Sequence, residues 1–127
     1  MNSSLKIKLT LLLLLVIGAN GFSQAKLQIK DAKKNFGFVK KGDIVKLDYE
    51  ITNIGNQPLL LNNIEIECSC TTAEYDKDPI LPGKTSVITI IFDTKSAYDR
   101  QDRTVSVTSN DSKGPHKLRY KGVVLKT

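Results

Sequence analysis

Tryptophan is absent from this 127-residue chain, histidine and methionine occur once each, and cysteine occurs twice. Each shortage removes a class of chemistry or fold. Without tryptophan, the Cys…Trp…Cys core of antibody domains cannot form. His116 is the sole histidine and lies in a basic stretch with no recognisable partner motif. Pairing it with Cys68 or Cys70 matches no local signature of a cysteine hydrolase and leaves no third residue to orient the base. No catalytic residue is assigned, and the chain reads as a non-enzyme. Met1 is the only methionine, so a thiolate copper site has no thioether helper in the rest of the chain. Zinc asks for four ligands, and a lone C-x-C falls short of that. EYDKD, residues 74–78, groups three carboxylates but lacks the glycine and the distal glutamate of a calcium loop, and reads as a solvated loop. No cofactor is assigned.

Charge is in surplus but not organised. Nineteen Lys and Arg stand against thirteen Asp and Glu, a formal +6. The basic residues gather loosely near Lys33 and near the C-terminal end, with acidic residues interleaved between. No basic stripe with interleaved aromatics occurs, which argues against a nucleic-acid partner. One long apolar run is present, LTLLLLLVIGA at residues 9–19, preceded by Lys6 and Lys8 and followed by small residues. That order predicts a secretory signal peptide over residues 1–23, cut after Ser23 or, alternatively, near residues 19–21. The run is short of the ~20 apolar residues that span a bilayer comfortably. The expectation is an exported protein, periplasmic or extracellular, with no membrane span after cleavage. Neither cysteine lies near the cut, so neither can carry a lipid. Residues 24–127 then form one domain by size, long enough to bury a core without staples.

No window of that domain holds a helical period over three turns; alternation recurs instead. IVKLDYEIT, residues 44–52, sets Val45, Leu47, Tyr49 and Ile51 on one face and Lys46, Asp48 and Glu50 on the other, a half-buried strand. LLLNNIEIECSC continues the pattern with Ile64, Ile66, Cys68 and Cys70 on one face. SVITIIFD buries Ile88, Ile90 and Phe92, with Val87 and Ile91 partly covered behind them. RTVSVTS offers Val105 and Val107, HKLRYKGVV offers Leu118 and Tyr120, and FGFV supplies an earlier strand near Phe36 and Val39. NIGNQP, DPILPGK and SNDSKGP separate these runs with turn-forming residues. A strand every ten or so residues, with no helix between, predicts an all-β antiparallel immunoglobulin-like sandwich of about seven strands.

The turns also carry a resemblance. NFGFVKKGD, TNIGNQPL, CSCTT, PILPGK, FDT and SND follow one another in the order, and at about the spacing, of a bacterial family, domain-of-unknown-function family 1573. The chain resembles that family from about residue 35 to residue 123. The resemblance implies an immunoglobulin-like sandwich, similar to sperm-protein and cilia-associated sandwich domains, in exported or envelope proteins with no established activity. Two departures stand out. Ser69 replaces the glycine usual between the cysteines, and SAYDRQD, residues 96–102, lacks a glycine usual before the next strand. Gly42, Gly55 and Gly83 fit turns that resist a larger residue, Asn53 and Asn110 can lock turns through their side chains, and Ile80 can dip into the core.

Cys68 and Cys70 carry what chemistry the sequence offers. On a regular strand their Cβ atoms stand about 6.6 Å apart, too far for the ~3.5–4.5 Å of a disulfide; a bend at Ser69 brings them closer. Four readings follow, in order of preference: structural packing along the Ile64–Ile66 face, a redox-active or local disulfide, a Cu(I) site of two thiolates, and an intermolecular disulfide. The function expected is a non-catalytic binding or structural module of the bacterial cell envelope. It would meet another envelope protein through a sheet edge or through NIGNQP and SAYDRQD. The alternative is a thiol redox or Cu(I)-handling protein using Cys68 and Cys70.

Overall fold

The computed structural model describes residues 23–126 together with Ser3 and Lys6. The expected signal peptide lies outside the described residues apart from Ser3, Lys6 and Ser23. Eight strands follow: β1 (Leu27–Lys30), β2 (Lys33–Lys40), β3 (Ile44–Asn53), β4 (Leu61–Ile66), β5 (Thr71–Tyr75), β6 (Thr85–Asp93), β7 (Asp99–Ser109) and β8 (His116–Leu125). A single 3-10 turn, Thr94–Ser96, links β6 to β7. The strands form two four-stranded sheets, ordered β1-β3-β6-β5 and β2-β8-β7-β4.

The expected antiparallel arrangement of about seven strands is corrected in one respect. β1 pairs antiparallel with β3, but β2 pairs parallel with β8. Asp31 takes a positive φ of 51°, a conformation that Asp tolerates better than most residues. The two residues between β1 and β2 change sheet without reversing the chain. β2 therefore keeps the direction of β1 and lies parallel to β8 on the opposite layer.

The alternating residues meet between the layers. Tyr49, Ile51, Ile88, Ile90, Phe92, Val107 and Leu118 are wholly buried, and Val105 and Tyr120 nearly so. Val87, by contrast, is exposed on the outer face, because its neighbours there are Glu50 and other polar residues. Phe36, Phe92 and Tyr120 pack as a tilted trio with centroids 5.5 to 6.5 Å apart. Gly122 makes the trio possible, since a Cβ there would stand 2.3 Å from the Phe36 ring. Two hydroxyls tie the layers: Tyr49 Oη donates to the Arg119 carbonyl at 2.8 Å, and Tyr120 Oη bonds Thr71 Oγ1 at 2.6 Å. Burial raises the pKa of both phenols, with Tyr120 adding to the effect on Tyr49.

One end of the sandwich is organised around Asn53, which is fully buried. Its Nδ2 donates to the carbonyls of Gln57 at 2.7 Å and Ile80 at 2.8 Å. Its Oδ1 accepts from Gly55 N at 3.0 Å and Lys26 N at 3.3 Å. One amide thus uses both donors and both lone pairs to hold three chain segments. Gly55 lets the N-terminal segment lie close, because a Cβ there would meet Gln24 O at 2.2 Å. Beside this knot, Leu59 and Ile80 exchange backbone hydrogen bonds of 2.9 Å in each direction and bury their side chains. Ile80 enters the core as its sequence setting suggests. Asn53→Ala is expected to lower unfolding free energy by about 2–4 kcal/mol, since it strands buried backbone groups. Asn56→Ala, at an exposed site of the same loop, should cost less than about 1 kcal/mol; urea denaturation of both variants checks the contrast.

Candidate functional site

The chain must leave one sheet for the other between β4 and β5, and both cysteines lie in that crossover. β4 ends at Ile66, a turn follows, and β5 begins at Thr71 on the opposite sheet. Cys68 and Cys70 are joined as a disulfide with Cα atoms 5.2 Å apart. The reading of two packed cysteines along one strand is therefore corrected. The half-buried/exposed alternation runs on through Cys70, but the backbone has already turned. Ser69 is not among the residues with positive φ, so the turn needs no glycine at this position. Asp99, with φ of 66°, occupies a left-handed position beside the other departure, where a glycine would cost nothing.

The turn is pinned by its own backbone. Thr71 N donates to the Cys68 carbonyl at 3.2 Å and Asp93 N to the Cys70 carbonyl at 2.8 Å. Cys70 N donates to Cys68 Sγ at 3.2 Å, and Cys70 Sγ lies 3.6 Å from Thr71 Oγ1. The two sulfurs differ in surroundings. Cys70 packs against the hydrophobic core. Cys68 lines an open groove of about 340 Å³, together with Ile66, Glu67, Arg103, Thr104 and Lys117.

The groove exists because β4 is shorter than β7. Pairing between them stops at Ile66↔Val105, while β7 runs back to Asp99 and stays paired with β8 on its other side. Residues 99–104 of β7 therefore form an open edge, with no backbone partner on that side among the described residues. Asn110 donates its N–H to Leu60 O, on the β4 side. N–H direction alternates along a strand, so Arg100 and Asp102 turn both their N–H and C=O groups, and Thr104 its N–H, to the open edge. Outward, Asp102 pairs with Arg119, Nε to Oδ1 at 2.7 Å; the hydrogen bond from Arg119 holds the Asp102 carboxyl below its ordinary pKa. Inward, Arg103 bonds Gln101 Oε1 and stacks over Phe92, closing the core beneath the groove.

His116 is drawn into a structural role. Its Nε2 lies 3.1 Å from Asp111 Oδ2, and the sulfurs are bonded to each other. Asp111 is buried and accepts from Leu27 N at 2.7 Å and Lys113 N at 2.8 Å. It thereby fastens the start of β1 to the β7–β8 loop, a contact spanning most of the chain that no local pattern signals. Asn110 locks its turn as expected, accepting from Leu60 N and donating to the Pro58 carbonyl. In the acidic cluster, Glu74 belongs to β5 rather than to a loop, and Asp76 caps Asp78 N. No three His, Cys, Asp or Glu side chains gather around one point among the described residues. No described helix is long and apolar enough to cross a membrane.

The family model "Protein of unknown function (DUF1573)" matches residues 27–124, and the chain belongs to that family, as its turns suggest. No curated protein matches the chain. Among solved structures, a protein of unknown function from Porphyromonas gingivalis W83 is similar at 22% identity and TM-score 0.71, covering 84% of this chain and 50% of its own. The PapD-like domain 7 of human CEP192 is similar at 12% identity and TM-score 0.64, covering 85% of this chain and 91% of its own. The Vibrio cholerae VesB protease is similar at 13% identity and TM-score 0.60, covering 88% of this chain and 34% of its own. At these identities the likeness is one of fold, an immunoglobulin-like, PapD-like sandwich. This chain spans half the length of the Porphyromonas protein and a third of the protease.

Burial alone would raise the pKa of Asp111, but the donors from Leu27, Lys113 and His116 outweigh it and hold the carboxyl below its ordinary value. Its stabilising effect is then complete above the unfolded value of about 3.9 and is lost as pH falls through the lower folded value. Asp111→Asn should destabilise the domain by about 1–3 kcal/mol at neutral pH. The deficit should shrink as pH drops below about 3.9, followed by urea denaturation across the acid range.

Proposed function

We propose that this DUF1573 domain is an exported, non-catalytic binding module of the bacterial cell envelope. In this reading it takes an extended segment of another envelope protein along the open edge of β7. The observation that carries the proposal is the unpaired stretch 99–104, in line with the end of β4. An incoming strand there would continue the place that β4 vacates and gain main-chain hydrogen bonds from Arg100, Asp102 and Thr104. Six residues offer about 20 Å of edge. The mixed charges of Glu65, Glu67, Arg103 and Lys117 around the groove would select among segments. The edge begins within SAYDRQD, one of the two segments singled out for partner contact by sequence. The other, NIGNQP, has its backbone committed to the Asn53 knot.

Export is supported by the basic and apolar N-terminal pattern and by an internal disulfide, which persists in oxidising compartments. Cu(I) handling is the weaker reading of the cysteines, because it starts from two thiolates and these sulfurs are bonded to each other.

Thr104→Pro tests the edge. It removes an N–H that faces the open side, leaving the β8 ladder intact, and proline is tolerated at such positions. Affinity capture from envelope extract at native salt should retain a specific partner on the wild-type protein and lose it on Thr104→Pro, with both variants folded by circular dichroism. No specific partner, or equal capture by both, would overturn the reading.

A further inference from the structure

The disulfide closes a ring of sequence separation two. Cross-links stabilise chiefly by restricting the unfolded chain, and the effect is smallest for the shortest loops. This domain buries a full core of its own, so the bond contributes little as a staple. Its surroundings are organised for chemistry instead. Cys68 opens to the groove, whereas Cys70 faces the core. The Cys70 N–H points at Cys68 Sγ, 3.2 Å away, and an N–H donor on sulfur favours the thiolate over the thiol. Cys70 Sγ stands 3.6 Å from the buried Thr71 hydroxyl, which bonds the buried Tyr120 hydroxyl at 2.6 Å. The hydrogen bonds at Thr71 N and Asp93 N hold the turn through main-chain carbonyls and do not depend on the S–S bond.

We propose that Cys68–Cys70 is a thiol–disulfide exchange site for a dithiol partner, with Cys68 as the sulfur that forms the mixed disulfide. A partner thiolate enters through the groove and attacks Cys68 Sγ. A new S–S bond forms, the Cys68–Cys70 bond breaks, and its electron pair leaves on Cys70 Sγ beside the Thr71 hydroxyl. The partner's second thiolate then attacks its own sulfur in the mixed disulfide and expels Cys68 as a thiolate facing the Cys70 N–H. Two electrons pass from the partner dithiol, which becomes a disulfide, to this pair, which becomes two thiols. Run in reverse, Cys68 attacks a partner disulfide and Cys70 resolves the adduct. The asymmetry is the same in both directions, because Cys68 lines the groove while Cys70, also half-buried, packs against the core. The exchange needs no strand on the β7 edge, since a small thiol reaches the groove unaided. Its failure is therefore distinguishable from failure of edge binding.

Oxidised glutathione tests the assignment on purified Cys70→Ser and Cys68→Ser, read by intact mass. Cys70→Ser, which keeps Cys68, should take one glutathionyl group, and Cys68→Ser should take it at least about tenfold more slowly. Folded wild-type protein, partly reduced and then alkylated, should carry the label first on Cys68; this measurement decides if either variant fails to fold. Equal rates, preference for Cys70, or a wild-type disulfide that resists dithiothreitol until the protein unfolds would each overturn the proposal.

Discussion

The crossover between Ile66 and Thr71 constrains more of this molecule than any other segment. The chain cannot stay paired with β7 and also reach β6 on the opposite sheet, so β4 stops five residues after it begins, at Ile66. Among the described residues β7 is left with no strand beside its first six residues on one side, and the groove beside them follows directly. The turn needed to cross brings Cys68 and Cys70 together and gives them unequal surroundings, one on the groove and one on the core. Thr71, the first residue after the turn, is anchored across the layers to Tyr120. Edge, groove and sulfur pair are thus three results of one change of sheet.

The opposite end of the sandwich is closed by polar anchors. Asn53 gathers the N-terminal segment, its own loop and the segment carrying Ile80, while Asp111 holds the first residue of β1. Both are buried and hydrogen-bonded, and among the described residues no buried side-chain polar atom lacks a partner. Such groups are costly when half satisfied, so this end is locked. The crossover end keeps main-chain groups of β7 unpaired. Binding surfaces are drawn from the less committed parts of a fold, which is why the functional argument rests on β7 and not on the Asn53 loop.

The strand faces of β3, β6, β7 and β8 were legible because alternation over five or more residues survives packing: Tyr49, Ile90, Val107 and Leu118 are buried as their spacing predicts. Asn53 and Ile80 were legible from turn chemistry. Four features were not. β1 is four residues long and mostly polar on its outer side, too short for a period. The parallel pairing of β2 depends on Asp31 carrying the chain between sheets, which no local propensity states. The disulfide was obscured because the alternation through Cys68 and Cys70 imitates a strand, while the backbone turns to satisfy the distant demand of β6 pairing. The open edge of β7 was invisible for the same reason, since it depends on where a neighbouring strand ends.

The central claim is that the N–H groups of Arg100, Asp102 and Thr104 in β7 have no strand partner on the open side among the described residues. Amide hydrogen exchange read residue by residue tests it most directly, because an N–H with no partner exchanges without local opening. The account predicts fast exchange at Arg100, Asp102 and Thr104, slow exchange at the β8-facing Gln101 and Arg103, and slow exchange at both Val105 and Ser106. Uniform protection from Arg100 to Ser106 would contradict it.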